Sequence, residues 1–230
     1  MKKFAYTAEI IEIKKETPGL RLLHLEKPPA FSHIPGQYIQ IGIPEENDSD
    51  FFALASHPDD RFLELLINAG NGKICEKPVG SYLNISSPSG PGFPIHLFFG
   101  KTVYLVTHGS GISSIKPLIE EMRKNRHRFG QIRLIYGVRT PEDFAYKNLL
   151  RNWMGSVEVY DIISRDPDDL KIWSGETGHV QQILEKLQPV PDNAIVAVSG
   201  SPAMENEIIQ IFQRFSYEKN QILQNHFNTP

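Results

Sequence analysis

Residues 103–114 read VYLVTHGSGISS, which predicts a buried β-strand that ends in a turn of small residues and opens a helix. Such a turn directs free backbone N–H groups and the positive end of the helix dipole to one place, where an anion such as a phosphate is stabilised. Glycine suits positions 109 and 111, because a side chain there would block a ligand or forbid a positive φ. Alone, the motif fits an ordinary tight turn equally well, since it lacks the third glycine of the dinucleotide fingerprint.

A serine nucleophile is a second chemistry for this turn, because Ser110 lies where a strand meets a helix. The nucleophile elbow of hydrolases needs glycines two residues before and two residues after the serine. This chain has His108 and Ile112 at those positions. The spacing therefore disfavours a hydrolase, and inhibition by a serine-reactive reagent would be needed to revive that interpretation.

From residue 100 onward, β-type and helical segments alternate. The β-type runs lie at 103–107, 132–136, 157–163 and 194–198, and helical spacing or capping marks 112–122, 141–153, 180–187 and 202–215. Thr140 and Pro141 supply the N-cap and the first turn of the second of these helices. The alternation predicts a doubly wound parallel sheet of Rossmann-like, nucleotide-binding type.

The first part of the chain has a different pattern. Short alternating or β-rich runs lie at 6–13, 20–25, 38–43, 51–55, 62–67 and 82–86, with turn formers such as Thr17-Pro18-Gly19 between them. This spacing predicts an antiparallel β-barrel that is closed or nearly closed, because closure removes exposed sheet edges. We therefore expect two domains, 1–99 and 100–230.

Composition limits the classes of function. With 24 Lys and Arg against 27 Asp and Glu, the formal charge is −3, which disfavours nucleic acid as a partner. The single cysteine, Cys75, excludes an internal disulfide and a four-cysteine metal or iron–sulfur site from this chain alone. The eight histidines form no His-Glu-x-x-His pattern, so we predict no metal site. We expect no membrane span and a cytoplasmic location, because no apolar run approaches about 20 residues and the first residues lack a signal-peptide core.

Two further motifs follow the glycine turn, LIYGVRTPED at 134–143 and VSGSPAM at 198–204. In this order, behind a barrel-like half, the three motifs resemble those of the ferredoxin-NADP reductase superfamily, and the resemblance covers essentially the whole chain. It implies an N-terminal barrel that binds FAD and a C-terminal domain that binds NADP or NAD, with the nicotinamide on the flavin at the domain junction.

The resemblance assigns nucleotide-binding roles to residues of all three motifs and to a pair after the third strand of the second sheet. The pair, Ser164 and Arg165, resembles the one that some members use for the 2′-phosphate, which favours NADPH over NADH. Ser199 stands where many relatives have a cysteine beside the nicotinamide carbon that gives up hydride, so we expect it to take part in catalysis with slower hydride transfer. The other residues implied to contact the nucleotide are Thr107, Gly109, Ser110, Gly111, Ile112, Gly137, Arg139, Gly200 and Met204.

The flavin half departs from the family pattern. DFFALAS at 50–56 stands where the family has Arg-x-Tyr-Ser-x-x-Ser, so Asp50 replaces a cation and Ala53 replaces a hydrogen-bonding serine. Phe52 still offers an aromatic face to the isoalloxazine and counts as catalytic. Backbone N–H groups of Ala53, Leu54, Ala55 and Ser56 are candidate donors to the flavin. The alternative is that residues 51–55 form only a core strand of the barrel, with no contact to a flavin.

A second flavin element is implied at residues 70–75, a glycine turn that opens a short helix. Gly72, Lys73, Ile74 and Cys75 are the candidate flavin-binding residues, and we hypothesise that Lys73 replaces the missing arginine charge. Phe227, near the end of the chain, corresponds to an aromatic residue that covers the flavin in relatives. His57 and His108 are the two histidines near these motifs, and a structural role is expected for each.

The predicted function is hydride transfer from NAD(P)H to FAD, with electrons passed to a protein, quinone or small-molecule acceptor. The alternative is a flavin-free nucleotide-binding or scaffolding subunit that keeps the fold, because the flavin motif is the part that departs most from the family.

Overall fold

The structure is a computed structural model that describes residues 4–44, 46, 48–165 and 173–225. The first sheet contains six antiparallel strands, β1 (Tyr6–Lys15), β2 (Leu20–Glu26), β3 (Tyr38–Gly42), β4 (Ser49–Ala53), β5 (Phe62–Asn68) and β6 (Tyr82–Ile85), and a short helix, α1 (Gly72–Cys75), follows β5. The strand order is β4-β3-β6-β1-β2-β5, and a bridge between Leu54 and Leu65 joins the two edges. The barrel is therefore nearly closed, as the sequence predicts.

The second sheet is parallel throughout, in the order β10-β9-β8-β7-β11-β12. Its strands are β7 (Thr102–His108), β8 (Ile132–Val138), β9 (Glu158–Ile163), β10 (Glu176–Thr177), β11 (Ala194–Ser199) and β12 (Ile222–Gln224). The helices are α2 (Ile112–Lys124), α3 (Lys147–Trp153), α4 (Val180–Leu187) and α5 (Pro202–Arg214).

Apolar side chains on both faces of the second sheet explain the double layer of helices. One buried cluster contains Ile115 and Met122 of α2 with Trp153 of α3, and another contains Ile183 of α4 with Phe212 of α5. The first cluster also contains barrel residues, so the two sheets share a continuous apolar contact. This contact holds the carboxyl ends of β7, β8 and β11 beside the barrel.

One helix prediction is wrong in its extent. The predicted helix at 141–153 is a 3-10 turn at Pro141–Asp143, an extended connection, and then α3. Thr140 and Asp143 do form a capping box, but Tyr146 has φ +60° and its N–H donates to the Glu16 carboxylate at 2.6 Å. A contact with the barrel therefore interrupts a segment whose local sequence favours helix.

Candidate active site

A cleft of about 1100 Å³ lies between the barrel and the carboxyl ends of the parallel strands. The barrel contributes Phe51, Phe52 and Ala53 of β4 together with other barrel residues, and the parallel sheet contributes the ends of all three motifs. In doubly wound sheets, ligands bind at the carboxyl ends of the strands. The sequence-predicted site residues that line the cleft are Phe52, Ala53, Gly109, Ser110, Gly111, Gly137, Arg139, Ser164, Ser199, Gly200 and Met204.

Hydrogen bonds fix the glycine turn on its protein side, and its other side faces the cleft. The Tyr136 hydroxyl donates to the Gly109 carbonyl at 3.0 Å, and the Ser113 hydroxyl donates to the Ser110 carbonyl at 2.8 Å. Gly109 has φ +52°, and a Cβ there would meet no atom within 4 Å. A Cβ on Gly111, in contrast, would lie 2.6 Å from the Ser199 carbonyl oxygen. Gly111 is therefore required for the close approach of β7 and β11, while Gly109 leaves space for a ligand.

The third motif lies against the first. Ser199 is only 2% exposed, is paired in register with Thr107, and lines the cleft where β11 ends. The Gly200 N–H donates to a carboxylate oxygen of Glu205 at 3.0 Å, and the Ser201 hydroxyl caps α5. These contacts hold the backbone that connects β11 to α5 at the floor of the cleft.

The second motif borders the other end of the cleft. Gly137 packs against α4, since a Cβ there would lie 2.8 Å from Val180. Arg139 is exposed and lines the cleft, as does Ser164. Arg165 is exposed and its backbone N–H donates to the Arg139 carbonyl, but it is not part of the cleft wall.

Only the start of the predicted flavin strand reaches the cleft. Leu54, Ala55 and Ser56 are completely buried behind it. The Leu54 N–H donates to the Gln37 carbonyl and the Ala55 N–H to the Glu64 carbonyl, so the expectation that these two groups are free donors is wrong. The Leu54 N–H extends the pairing of β4 with β3, and the Ala55 N–H bonds to β5, where the barrel closes.

Residues 72–75 lie outside the cleft wall. Ile74 is buried in the barrel core, and Cys75 is partly buried, which raises the pKa of its thiol and keeps it protonated. The Lys73 ammonium is 2.8 Å from Glu46 and 3.4 Å from Asp48, and the hydrogen bond to Glu46 raises its pKa. The hypothesis that Lys73 supplies the missing arginine charge stays a prediction, and a pyrophosphate there would have to compete with two exposed carboxylates for the ammonium.

The two histidines have different positions. His57 is buried, but outside the cleft wall, with Nε2 at 2.7 Å from Glu121 and Nδ1 at 3.0 Å from the Lys124 ammonium, so it joins the barrel to α2. His108 lines the cleft, and burial lowers its pKa. Phe227 and its predicted role lie outside the described residues.

Two buried hydroxyls without a hydrogen-bond partner in the described part of the chain lie beside the predicted cofactor sites, Thr107 Oγ1 and Ser56 Oγ. Thr107 Oγ1 lies under Gly111, at the start of the 13-residue helix α2, where N–H groups favour a phosphate. The nucleotide end of the cleft therefore fits a dinucleotide. Phe51 and Ala53 fit the ring end of a flavin, whereas Phe52 packs in the barrel core. Asp50, bonded to Asn71, does not fit the flavin pyrophosphate, and Lys73 is paired with Glu46 and Asp48.

Sequence reasoning missed part of the cleft wall. The β1–β2 turn and the start of α4 both contribute, through Thr17, Gly19, Leu20, Gly178, His179 and Gln181. The only local signals are turn-forming residues, such as Gly178 before the capping residue His179, and these are common in loops without a function. Nothing in the spacing shows that they face the glycine turn.

A buried ionic network behind the flavin strand was also missed. Lys116 of α2 is 5% exposed and donates to the Ala55 carbonyl at 3.0 Å, and its ammonium lies 3.2 Å from Glu64. Glu64 also accepts hydrogen bonds from Tyr146 and contacts His24 at 3.0 Å. The helix that begins at the glycine turn is thereby joined directly to the strand that lines the flavin end.

Residues 4–44, 46, 48–165 and 173–225 contain neither a membrane-crossing helix nor a metal-ligating cluster. No helix there combines the length and apolar composition needed to cross a bilayer. No group of three or more His, Cys, Asp or Glu side chains in the same residues is arranged to hold a metal ion.

Comparison with known proteins agrees with this architecture. Residues 105–210 match the family model of the oxidoreductase NAD-binding domain. The chain is 26% identical to sulfhydrogenase 1 subunit gamma of Pyrococcus furiosus over 90% of its length and 73% of that protein. It is 30% identical to fruit protein pKIWI502 of Actinidia deliciosa over 80% of its length and 64% of that protein, so it spans less than two thirds of that relative.

A ferredoxin NADP+ reductase from Neisseria gonorrhoeae, solved with bound FAD and NADP, has the same fold, with a TM-score of 0.85 at 19% identity over 97% of this chain and 98% of that chain. The order of barrel and parallel sheet is common to both, and the matched NAD-binding segment starts within β7 and ends within α5. Residues 105–210 therefore carry an oxidoreductase NAD-binding domain, and the whole chain has the two-part fold of that ferredoxin NADP+ reductase.

Proposed function

We propose that this chain is an NAD(P)H-dependent flavoprotein reductase that passes electrons to a separate acceptor. The observation that carries the proposal is the shared cleft, which is lined on one side by Phe51–Ala53 and on the other by the ends of β7, β8 and β11. In this proposal, residues 100–230 bind NAD(P), residues 1–99 bind the flavin, and the two ligands meet in a single volume. When bound, the flavin supplies the redox chemistry, accepting a hydride from NAD(P)H and releasing electrons one or two at a time.

On the nucleotide side, the residues of this chain bind and orient. The N–H groups at the start of α2 and the open face of Gly109 receive the pyrophosphate, and Thr107 and Ile112, both buried, support the turn from below. Arg139 and Ser164 line the cleft at the proposed adenosine end, and Arg165, the exposed residue after Ser164, is the proposed partner of a 2′-phosphate. Arginine binds such a dianion through two parallel hydrogen bonds, which supports NADPH.

On the flavin side, the partly exposed Phe51 offers an aromatic face and Ala53 leaves space in front of the strand. Phe52, the aromatic residue predicted from the sequence, is 8% exposed and packs in the barrel core, because neighbouring strand residues point to opposite faces. Ser199, buried at the floor of the cleft, places a small hydroxyl beside the region where the nicotinamide meets the flavin ring. The chain thus contributes alignment and a partly water-excluded floor, and alignment alone is worth many orders of magnitude in rate.

The proposed acceptor is a partner protein. The relative from Pyrococcus furiosus is by name one subunit of a sulfhydrogenase. The one cysteine of this chain cannot hold an iron–sulfur cluster, so electrons leave its flavin directly to the acceptor. A cytoplasmic location belongs to the same proposal.

A second candidate is a nucleotide-binding subunit without flavin. The observation in its favour is the pyrophosphate end of the flavin site, where Lys73 is neutralised by Glu46 and Asp48 and Asp50 adds a further carboxylate. The isoalloxazine end would then hold only water and the nicotinamide.

The absorbance spectrum of the purified protein separates the two candidates. It is recorded anaerobically after incubation with FAD and desalting, before and after addition of NADPH or NADH. A flavin band that either nucleotide bleaches supports the reductase, and the faster nucleotide shows the preference. A colourless protein that still binds nucleotide supports the second candidate.

A further inference from the structure

His108 connects the two turns that form the nucleotide end of the cleft. It is the last residue of β7, directly before Gly109, and its Nε2 accepts a hydrogen bond from the Ser201 backbone N–H at 2.9 Å. Its ring also packs on Gly200, where a Cβ would lie 2.5 Å from an imidazole carbon. A single side chain therefore holds the third motif against the first.

The donor in this hydrogen bond determines the chemical state of the ring. A backbone N–H only donates, so Nε2 must carry a lone pair and the proton of the neutral imidazole must be on Nδ1. An imidazolium has N–H donors at both nitrogens and has no acceptor for Ser201. Protonation thus removes the contact and places two donors against each other.

The surroundings of His108 favour the neutral form. Its pKa is lowered by burial. The titratable and charged groups on the elements around the same cleft are Asp143 after β8, Arg139, His179 at the start of α4, and Glu205 and Glu207 on α5. Glu205 is engaged by the Gly200 N–H, one residue before the amide that His108 holds.

We propose that His108 is a positioning residue for the nicotinamide nucleotide. Its neutral imidazole holds the Ser199–Ser201 turn against the glycine turn, and a second proton on the ring releases this turn and weakens nucleotide binding. The inference rests on the proposed nucleotide binding, but it does not depend on flavin.

The test measures the dissociation constants of NADP+ and NAD+ by calorimetry at about pH 8 and about pH 5.5, on either side of the ordinary imidazole pKa. Three variants are compared with the wild type. His108→Gln keeps an acceptor oxygen near the position of Nε2 but does not titrate, His108→Ala removes the acceptor, and His127→Gln changes an exposed histidine as a control.

We expect His108→Ala to bind about 3- to 10-fold more weakly than the wild type at about pH 8, the effect of one lost hydrogen bond. His108→Gln should retain most of the affinity at both pH values. At about pH 5.5 the wild type and His127→Gln should lose affinity relative to His108→Gln by less than the factor for His108→Ala, because burial lowers the pKa of His108. Titration of the nucleotide phosphates affects every variant equally, so the comparison with His108→Gln isolates the imidazole.

Two results would overturn the proposal. Unchanged affinity in His108→Ala, with the pH profile of the wild type, would show that the contact is incidental. Tighter binding of the wild type than of His108→Gln at about pH 5.5 would show that the imidazolium attracts the phosphates instead. A wild type that binds neither nucleotide at about pH 8 would contradict the proposed function itself.

Discussion

Replacing Lys116 with methionine should destabilise the protein by about 3 kcal/mol, although the side chain is of similar length. Lys116 is buried and contacts three oxygens, at 3.0 Å (the Ala55 carbonyl), 3.0 Å (Glu120) and 3.2 Å (Glu64). Methionine fills the space but leaves the Glu64 carboxylate without its cation.

The magnitude follows from what remains around Glu64. Removing one partner of a buried ion pair costs about 3–5 kcal/mol, because the other charge stays buried. The lower end applies here, because Tyr146 and His24 still contact the carboxylate at 3.0 Å each and Glu120 is partly exposed. For a chain of this size, about 2–4 °C per kcal/mol gives a fall in Tm of about 6–12 °C.

The difference in stability between the wild type and Lys116→Met should depend on pH. Burial alone raises the pKa of Glu64, but the hydrogen bond with His24 and the charge of Lys116 outweigh it and hold the value below 4.5. A carboxyl with a lowered folded pKa stabilises the fold above its unfolded value, and this stabilisation is lost as the pH falls through the folded value. The difference in unfolding free energy between the wild type and Lys116→Met should therefore have its full value at neutral pH and decrease below about pH 4.5.

Scanning calorimetry at neutral and acid pH measures both effects. Lys14→Met is the matched control, because Lys14 pairs with Glu12 at 3.2 Å on the surface and should cost less than about 1 kcal/mol. Adding Glu64→Gln to Lys116→Met removes the uncompensated charge and should restore part of the loss. Equal melting temperatures for Lys116→Met and Lys14→Met would refute the reasoning.

Three further substitutions test the cleft. Gly111→Ala should weaken NADP+ binding at least about 10-fold and lower Tm, because its Cβ would lie 2.6 Å from the Ser199 carbonyl, whereas an unchanged calorimetric Kd would contradict the close approach. Ser199→Cys should speed anaerobic flavin reduction in stopped flow, with KM for the nucleotide little changed, and a slower rate would count against its assigned position. Arg165→Ala should raise KM for NADPH by about 10-fold or more, because it removes a charge-assisted hydrogen bond, and should leave KM for NADH nearly unchanged. Equal effects on both KM values would exclude a 2′-phosphate contact.

The sequence predicts most of the fold, because local periodicity and turn chemistry report on each element separately. The alternation of strand and helix after residue 100 and the β-rich runs before it correspond to the two observed sheets. The prediction fails where distant residues intervene. The helix expected at 141–153 is interrupted at Tyr146 by a hydrogen bond to Glu16, a residue 130 positions earlier.

In the candidate site, too, local patterns could be predicted from the sequence and contacts between distant residues could not. The glycine turn could be recognised because a strand, small residues and a helix follow each other within twelve positions. The contact of His108 with Ser201, the burial of Lys116 beside Glu64, and the neutralisation of Lys73 by Glu46 involve groups that no local pattern pairs.

The sequence by itself determined the class of fold, the order of the two sheets and the positions of the three nucleotide motifs, because hydrophobic period, glycines and prolines act over a few residues. Only the tertiary structure decided which backbone donors are free. It showed that strand pairing within the barrel uses the N–H groups of Leu54 and Ala55, and that Phe51–Ala53 and the motif ends share one cleft. These features depend on the distances between segments far apart in the chain, and packing of the whole molecule sets those distances.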